Sequence, residues 1–179
     1  MSNAVLAGGI CALLLFWGLG AHNRLVRLRA MVIAAFAPLE AQYGKFPALA
    51  QTSCAVPAGD GRVTPRTGLL GAALQFEVSL KVACAHPLDV LSQRVLETAH
   101  ETLHASWKRV CSEAANVPGE AVPDALQQQW AVLTLQENYA KNEFNQRVQE
   151  YNQAIHQFPA NLLAWLFGFK PAYRFKEEP

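Results

Sequence analysis

One short run of this sequence has residue types and spacing suited to chemistry: His100-Glu101-Thr102-Leu103-His104. On a helix, two histidines four positions apart share a face and can bind Zn²⁺, while the glutamate between them can activate a water molecule. A third protein ligand would be needed, and Glu113, Glu120 and Asp124 follow downstream. The pattern therefore indicates a zinc-dependent hydrolase as one interpretation.

The same two histidines also suit a purely structural interpretation, which we favour. An apolar stripe runs along this helix through Leu96, Ala99, Leu103, Trp107 and Val110. At 3.6 residues per turn the histidines lie about 100° from that stripe, which predicts a place at the edge of a bundle. Glu97 and Glu101 beside them then form a solvated face. We expect no catalytic residue, no bound metal and no other cofactor.

The composition limits the classes of function. Of the 179 residues, 51% are hydrophobic and only 16% are charged, whereas about a quarter of a soluble domain is usually charged. Residues 4–21 carry no charge at all. The net charge of +1 gives no reason to expect a nucleic-acid partner.

Residues 4–21 form an unbroken apolar run, AVLAGGICALLLFWGLGA. Its length suits a helix that crosses a bilayer, and Trp17 suits the membrane interface. A cleaved signal peptide is the alternative, but it normally begins with basic residues. Here the basic residues follow the run, at Arg24, Arg27 and Arg29. The positive-inside rule then predicts an outer N-terminus and a cytoplasmic domain.

Small residues and cysteines add two further expectations. Ala4, Gly8 and Ala12 recur every fourth position on one face of the spanning helix, a pattern that lets helices approach closely and predicts self-association. Four cysteines show no metal-binding or redox spacing: Cys11, Cys54, Cys84 and Cys111. We expect reduced, partly buried thiols.

The rest of the chain has helical periodicity. One stripe joins the apolar run without a break, through Leu25, Leu28, Val32, Phe36, Leu39, Tyr43 and Phe46. Residues 57–68 are rich in Pro and Gly and predict a loop. Residues 69–84 fit both a strand and a helix, and we choose a helix because a lone strand has no pairing partner. The sequence therefore predicts an all-α fold, in which a transmembrane helix continues into an antiparallel four-helix bundle.

Two blocks of sequence resemble a known family. The first is Asn23-Arg24-Leu25-Val26-Arg27-Leu28-Arg29, directly after the span, and the second runs from residue 144 to 171. The second block contains the pairs Tyr151-Asn152, Phe158-Pro159 and Gly168-Phe169. Its other motif residues are Asn145, Leu162, Phe167 and Pro171. In both blocks the chain is similar to the LemA family of small bacterial membrane proteins, as a divergent subgroup.

The resemblance implies a domain organisation and a class of function. It implies a transmembrane helix over 4–21, a helical bundle over 22–157 and an apolar tail over 158–179. It implies the bacterial inner membrane and no catalytic residue. It also suggests, by association only, a membrane-protein partner such as a quality-control protease.

The residues of the second block also have a physical interpretation. Asn145, Tyr151 and Asn152 can form hydrogen bonds between helices or to the returning tail. The apolar tail can fold back on the bundle, enter the membrane interface or form a subunit contact. We therefore expect a non-enzymatic, self-associating scaffold or assembly protein in the lipid bilayer, with a lipid-organising protein as a weaker alternative.

Overall fold

The computed structural model describes residues 2–54, 65–114 and 122–176. Within these ranges the secondary structure is entirely helical, without a strand, so the predicted all-α class is confirmed. The six helices are α1 (Ser2–Tyr43), α2 (Phe46–Cys54), α3 (Pro65–Ala85), α4 (Val90–Ala114), α5 (Asp124–His156) and α6 (Ala160–Leu166).

Helix α1 is a single element of 42 residues. It contains the apolar run and the stripe that follows as far as Tyr43, so the prediction that the two form one continuous helix is confirmed up to that residue, while Phe46 begins α2. Pro38 lies inside α1 without ending it. The helix ends at a turn in which the N–H of Gly44 donates to the carbonyl of Glu40, and Pro47 then falls in the first turn of α2, where a missing N–H costs little.

The helices pack as two pairs. Helix α1 lies along α5, and α3 lies along α4. Helix α2 contacts both α3 and α5 and so joins the pairs. Together they enclose one apolar core, and the stripes expected to be buried are buried, apart from Leu28 and Leu126, which are partly buried. The helical bundle expected from the sequence is therefore present.

Residues 69–84 are helical, as chosen, because they form the body of α3. The face of α3 that carries Leu69, Ala73 and Phe76 is buried, while Leu74, Val78 and Val82 remain exposed. Most of the loop expected over 57–68 lies outside the described residues, and its last residues form the start of α3.

The chain after α5 returns along the bundle. Helix α6 follows Pro159 and ends before Gly168, whose φ of 68° lies in the left-handed region that glycine adopts without strain. Residues 168–176 then run without regular secondary structure, and we refer to them as the C-terminal strap. The strap ends with Phe175 buried in the core.

Candidate functional site

Four polar side chains meet inside the bundle, at the contact between α4 and α5. His100 and His104 lie one turn apart on α4, and Glu137 and Lys141 lie one turn apart on α5. Nε2 of His100 is 3.0 Å from Oε2 of Glu137, and Nε2 of His104 is 3.7 Å from the same oxygen. Nζ of Lys141 is 3.5 Å from the other oxygen, Oε1. We refer to these four residues as the His–Glu cluster.

The cluster corrects the expectation that the histidines lie at the edge of the bundle. The His100 side chain is 6% exposed and the His104 side chain 15%. Glu97, expected on a solvated face, is also buried. The buried face of α4 is wider than its apolar stripe, because α5 places a carboxylate beside the histidines and the strap covers Glu97.

The electrostatics of the cluster keep Glu137 charged and His104 neutral. Burial alone would raise the pKa of Glu137, but the hydrogen bond with His100 and the charges of His100, Lys141 and His104 outweigh it, so the pKa is lowered. Burial, together with the charge of His100, lowers the pKa of His104 to about 4. A neutral imidazole beside an ionised carboxylate is the protonation state that metal ligands adopt.

Aromatic rings enclose the cluster on the side of the core. Phe46 packs against both histidines, with ring centroids 5.7 Å and 5.1 Å away. Tyr43 and Phe76 contact His100. These rings fix the two imidazoles in place.

On its other side, the cluster borders an open groove. The groove has a volume of about 790 Å³ and is lined by residues of α4 and α5, including His104, Lys108, Gln127 and Thr134. The stacked rings of Trp107 and Trp130, 4.2 Å apart, form part of its wall. His104 is thus the member of the cluster that solvent reaches from this groove.

The residues proposed as a third zinc ligand do not fill that role. Glu113 is exposed and pairs with Arg109, Asp124 is exposed at the start of α5, and Glu120 lies outside the described residues. The ligand that the fold brings to the histidines is Glu137, 33 residues beyond His104. The sequence contained one indication of this role. Glu137 falls on the buried face of α5, and a buried acidic residue requires a polar or charged partner.

Glu101 does not join the cluster either. Its side chain is 52% exposed and its carboxylate is 3.1 Å from Nζ of Lys176. A group of three potential metal ligands within 4.8 Å of one another contains His100, His104 and Glu137. The arrangement therefore resembles a metal-binding site more closely than a zinc hydrolase, which needs the glutamate beside the metal.

The strap is held to α5 by paired hydrogen bonds. Asn145 donates from Nδ2 to the carbonyl of Phe175 and accepts from the N–H of the same residue. Asn152, two turns along, makes the same pair of bonds with Ala172. The hydroxyl of Tyr151 donates to the carbonyl of Lys170. The expectation that these residues bond to the returning tail is confirmed.

The strap also reaches α4. The carboxylate of Glu97 accepts from the hydroxyl of Tyr173 and, at 2.7 Å, from the N–H of Lys176. The strap therefore links α5 to α4 across the surface, whereas the His–Glu cluster links the same two helices in the interior. The prediction that Glu97 lies on a solvated face was wrong, because Tyr173 in the segment that covers it is 76 residues away in sequence.

The residues expected to associate with the membrane lie along the first half of α1. Ala12, Arg24, Arg27 and Arg29 are exposed, and a side chain at Gly8 would meet nothing within 4 Å. The side chains of Ala4 and Cys11 lie outside the described part of the structure. Trp17 is 39% exposed. The three cysteines that are described, at positions 54, 84 and 111, are free and partly buried.

The remaining residues of the C-terminal motif surround α6. Ala164 is the buried contact of α6, and Phe167 packs on His22 of α1 with ring centroids 4.5 Å apart. Phe169 is partly buried and also contacts His22. The other members, Phe158, Leu162 and Pro171, are exposed. The tail thus folds back on the bundle while leaving most of its apolar surface uncovered.

Comparison with known proteins supports one family. A model described as the LemA family matches residues 97–179, a range that contains α5, α6, the strap and the His–Glu cluster. The C-terminal part of this chain is therefore similar to the LemA family over residues 97–179. Neither a curated protein nor a solved structure gives a significant match.

Proposed function

We propose that this protein is a membrane-anchored scaffold or assembly protein without enzymatic activity. Its first helix would cross the bacterial inner membrane and its four-helix bundle would organise further copies or another membrane protein. The observation that carries the proposal is the large apolar surface that the first half of α1 leaves uncovered.

That surface has the length and hydropathy of a membrane span. Among the described residues, two helices are long and apolar enough to cross a membrane. One lies within Leu6–Cys54, with a mean hydropathy of 1.4 over its most apolar window, and the other is Arg66–Ala85. None of the first window is buried, whereas 39% of the second is. The exposed large apolar side chains in the first half of α1 are Leu6, Ile10, Leu13, Leu14, Leu15, Phe16, Trp17 and Leu19. Isolated apolar residues are normal on a soluble protein, but a continuous patch of this kind is not.

Helix α6 extends the apolar surface sideways at the end of the span. A groove of about 360 Å³ lies between Trp17 and Arg24 of α1 and the Phe158-Pro159 segment. Beyond it, Trp165 is 84% exposed, and Leu162, Leu166 and Phe167 are also exposed. Apolar and aromatic side chains beside a basic cluster are typical of a segment that lies in the membrane interface.

The proposed assembly rests on α1. Gly8 and Ala12 leave room for a second helix to approach. The match to the LemA family is compatible with a scaffold and names no partner. A quality-control protease of the same membrane is one partner of suitable class.

The anchoring proposal is tested with the full chain in sealed inner-membrane vesicles. We expect the protein to resist extraction at alkaline pH and a protease added outside inverted vesicles to remove the bundle. An L13R/L15R double variant should be released by alkali, because each arginine costs about 3 kcal/mol at the centre of a span. Release of the unaltered protein would refute the anchor.

The assembly proposal needs a separate measurement. Native mass spectrometry of the lipid-bound protein should show more than one subunit, and G8L/A12L should reduce the number by blocking close approach. A matched L14A change on the same helix should leave it unaltered. A strictly monomeric particle in native lipid would refute self-association without affecting the anchor.

A further inference from the structure

We propose that His100, His104 and Glu137 form a Zn²⁺ site that joins α4 to α5, with the groove beside His104 as its route of access. The site does not depend on whether α1 crosses a membrane, and it needs no hydrolase chemistry.

The distances between the three side chains suit a tetrahedral ion. With zinc bonds of about 2.0–2.2 Å to nitrogen and oxygen, two ligands of one ion lie about 3.4 Å apart. Oε2 of Glu137 lies 3.0 Å from Nε2 of His100 and 3.7 Å from Nε2 of His104. All three potential ligand atoms lie within 4.8 Å of one another. To complete a tetrahedral coordination, the two histidine nitrogens would also have to lie about 3.4 Å apart.

The second observation is a polar atom without a partner. In the described part of the chain, Nε2 of His104 is buried and makes no hydrogen bond, although it faces an ionised carboxylate. A buried polar atom left unpaired costs free energy, so a structural role alone does not explain a histidine at this position. A metal ion bound to Nε2 would satisfy it.

Lys141 is the charge that opposes an ion here. Its ammonium group is 6% exposed and lies near Oε1 of Glu137, on the oxygen that does not face the histidines. It can therefore orient the carboxylate by contacting the oxygen that does not bind the metal, as outer-shell partners of metal ligands do. Its positive charge would also weaken the site, so removing it should strengthen metal binding.

Binding is a simple exchange of a proton for the ion. The proton that lies between Nε2 of His100 and Oε2 of Glu137 is released to solvent, and Zn²⁺ takes its place. Nε2 of His104, which makes no hydrogen bond within the described residues, is the second nitrogen ligand. The groove lined by His104 is the adjacent space through which an ion from solution would reach the site.

The test uses the full chain, stripped of metal, in detergent under reducing conditions, with Zn²⁺ alone as the probe. Native mass spectrometry should show one zinc per chain. His104→Phe keeps an aromatic ring among Phe46 and Trp130 and should fold normally, yet weaken zinc binding by more than about a hundredfold, since even outer-shell changes cost 10–100-fold. His156→Asn, an exposed histidine of α5, is the matched control and should bind as the unaltered protein does.

A variant with higher affinity for zinc distinguishes binding at this site from binding to the cysteine thiolates. K141M should bind zinc at least about tenfold more tightly, because it removes a cation from the site. Co²⁺ should give the intense visible bands of a tetrahedral complex, and these should disappear in H104F. Zinc retained equally by H104F, or no zinc bound by the unaltered chain and by K141M, would overturn the proposal.

Discussion

The His–Glu cluster and the C-terminal strap both join α4 to α5, but they satisfy their polar groups to different degrees. Asn145 and Asn152 each pair with both backbone groups of one strap residue. In the cluster, the carboxylate of Glu137 lies beside His100, His104 and Lys141, and Nε2 of His104 makes no hydrogen bond in the part of the chain that the structure describes. A fully satisfied network stabilises a fold, whereas a partly satisfied one is costly. The difference teaches that the strap is structural and that the cluster is the place to look for a ligand.

The largest effect should come from breaking the cluster. E137Q keeps the shape of the side chain but leaves Lys141 as an unpaired charge in the core. Loss of one partner of a buried ion pair costs about 3–5 kcal/mol. Chemical unfolding of metal-free full-length protein in detergent should show this loss. E143Q, on an exposed position of the same helix, should change the free energy of unfolding by less than about 0.5 kcal/mol. Equal effects of the two variants would show that the cluster is not stabilised by its ion pair.

Breaking the strap should have a somewhat smaller effect. N145L removes both bonds to Phe175 and leaves its buried N–H and carbonyl unpaired, at a cost of about 2–4 kcal/mol. The residues after position 168 should also become sensitive to limited proteolysis, which separates this variant from E137Q.

The matched control for the strap is N142L, an exposed asparagine one turn earlier on α5. It should alter neither stability nor cleavage. A strap that stays protected in N145L would mean that Asn152 and Tyr151 hold it without Asn145.

The role of Gly168 at the start of the strap can be tested with two glycine substitutions that should change the stability of the protein in opposite directions. G168A forces alanine into a backbone with φ of 68° and should destabilise the protein by about 1 kcal/mol. G71A, on an exposed face of α3 with nothing within 4 Å of the new methyl group, should stabilise it by about 0.4–1 kcal/mol. Thermal unfolding measures both, and the same sign for both would contradict the role of Gly168.

The smallest effect concerns the contact between the strap and α4. Burial, followed by the hydrogen bond with Glu97, raises the pKa of Tyr173 to about 12, from an ordinary value of 10.0. The folded protein therefore retains a proton that the unfolded chain loses. The contribution of Tyr173 is complete below pH 10 and is lost as the pH rises towards 12. In Y173F the free energy of unfolding should depend less steeply on pH between about 10 and 12. An unchanged slope would show that the ionisation of Tyr173 is not coupled to folding.

The sequence predicted the parts of this fold that depend on local periodicity. The buried stripes of α1, α4 and α5 follow from apolar residues three and four positions apart. For Asn145 and Asn152 the sequence allowed bonds between helices or bonds to the returning tail, and the structure shows the second. Family resemblance located the same segment, and the match over residues 97–179 confirms it.

The candidate site was predicted only in part, because it joins residues distant in sequence. His100 and His104 were identified by their spacing, but their burial depends on α5 and on rings from α1, α2 and α3. Glu137 could not be assigned as their partner from one sequence, since the rotation of α5 against α4 decides it. For the same reason Lys141 was not identified, and Glu97 was wrongly placed on a solvated face. An acidic or basic residue within an apolar stripe was the available signal.

The length of α1 has a mechanical consequence. At 1.5 Å per residue its 42 residues measure about 63 Å, and a bilayer core takes up about 30 Å of that. The second half of α1 forms one wall of the core, and no glycine separates the two halves between Ala21 and Tyr43. In the proposed membrane anchor, a tilt or rotation of the first half of α1 would therefore turn the bundle with it.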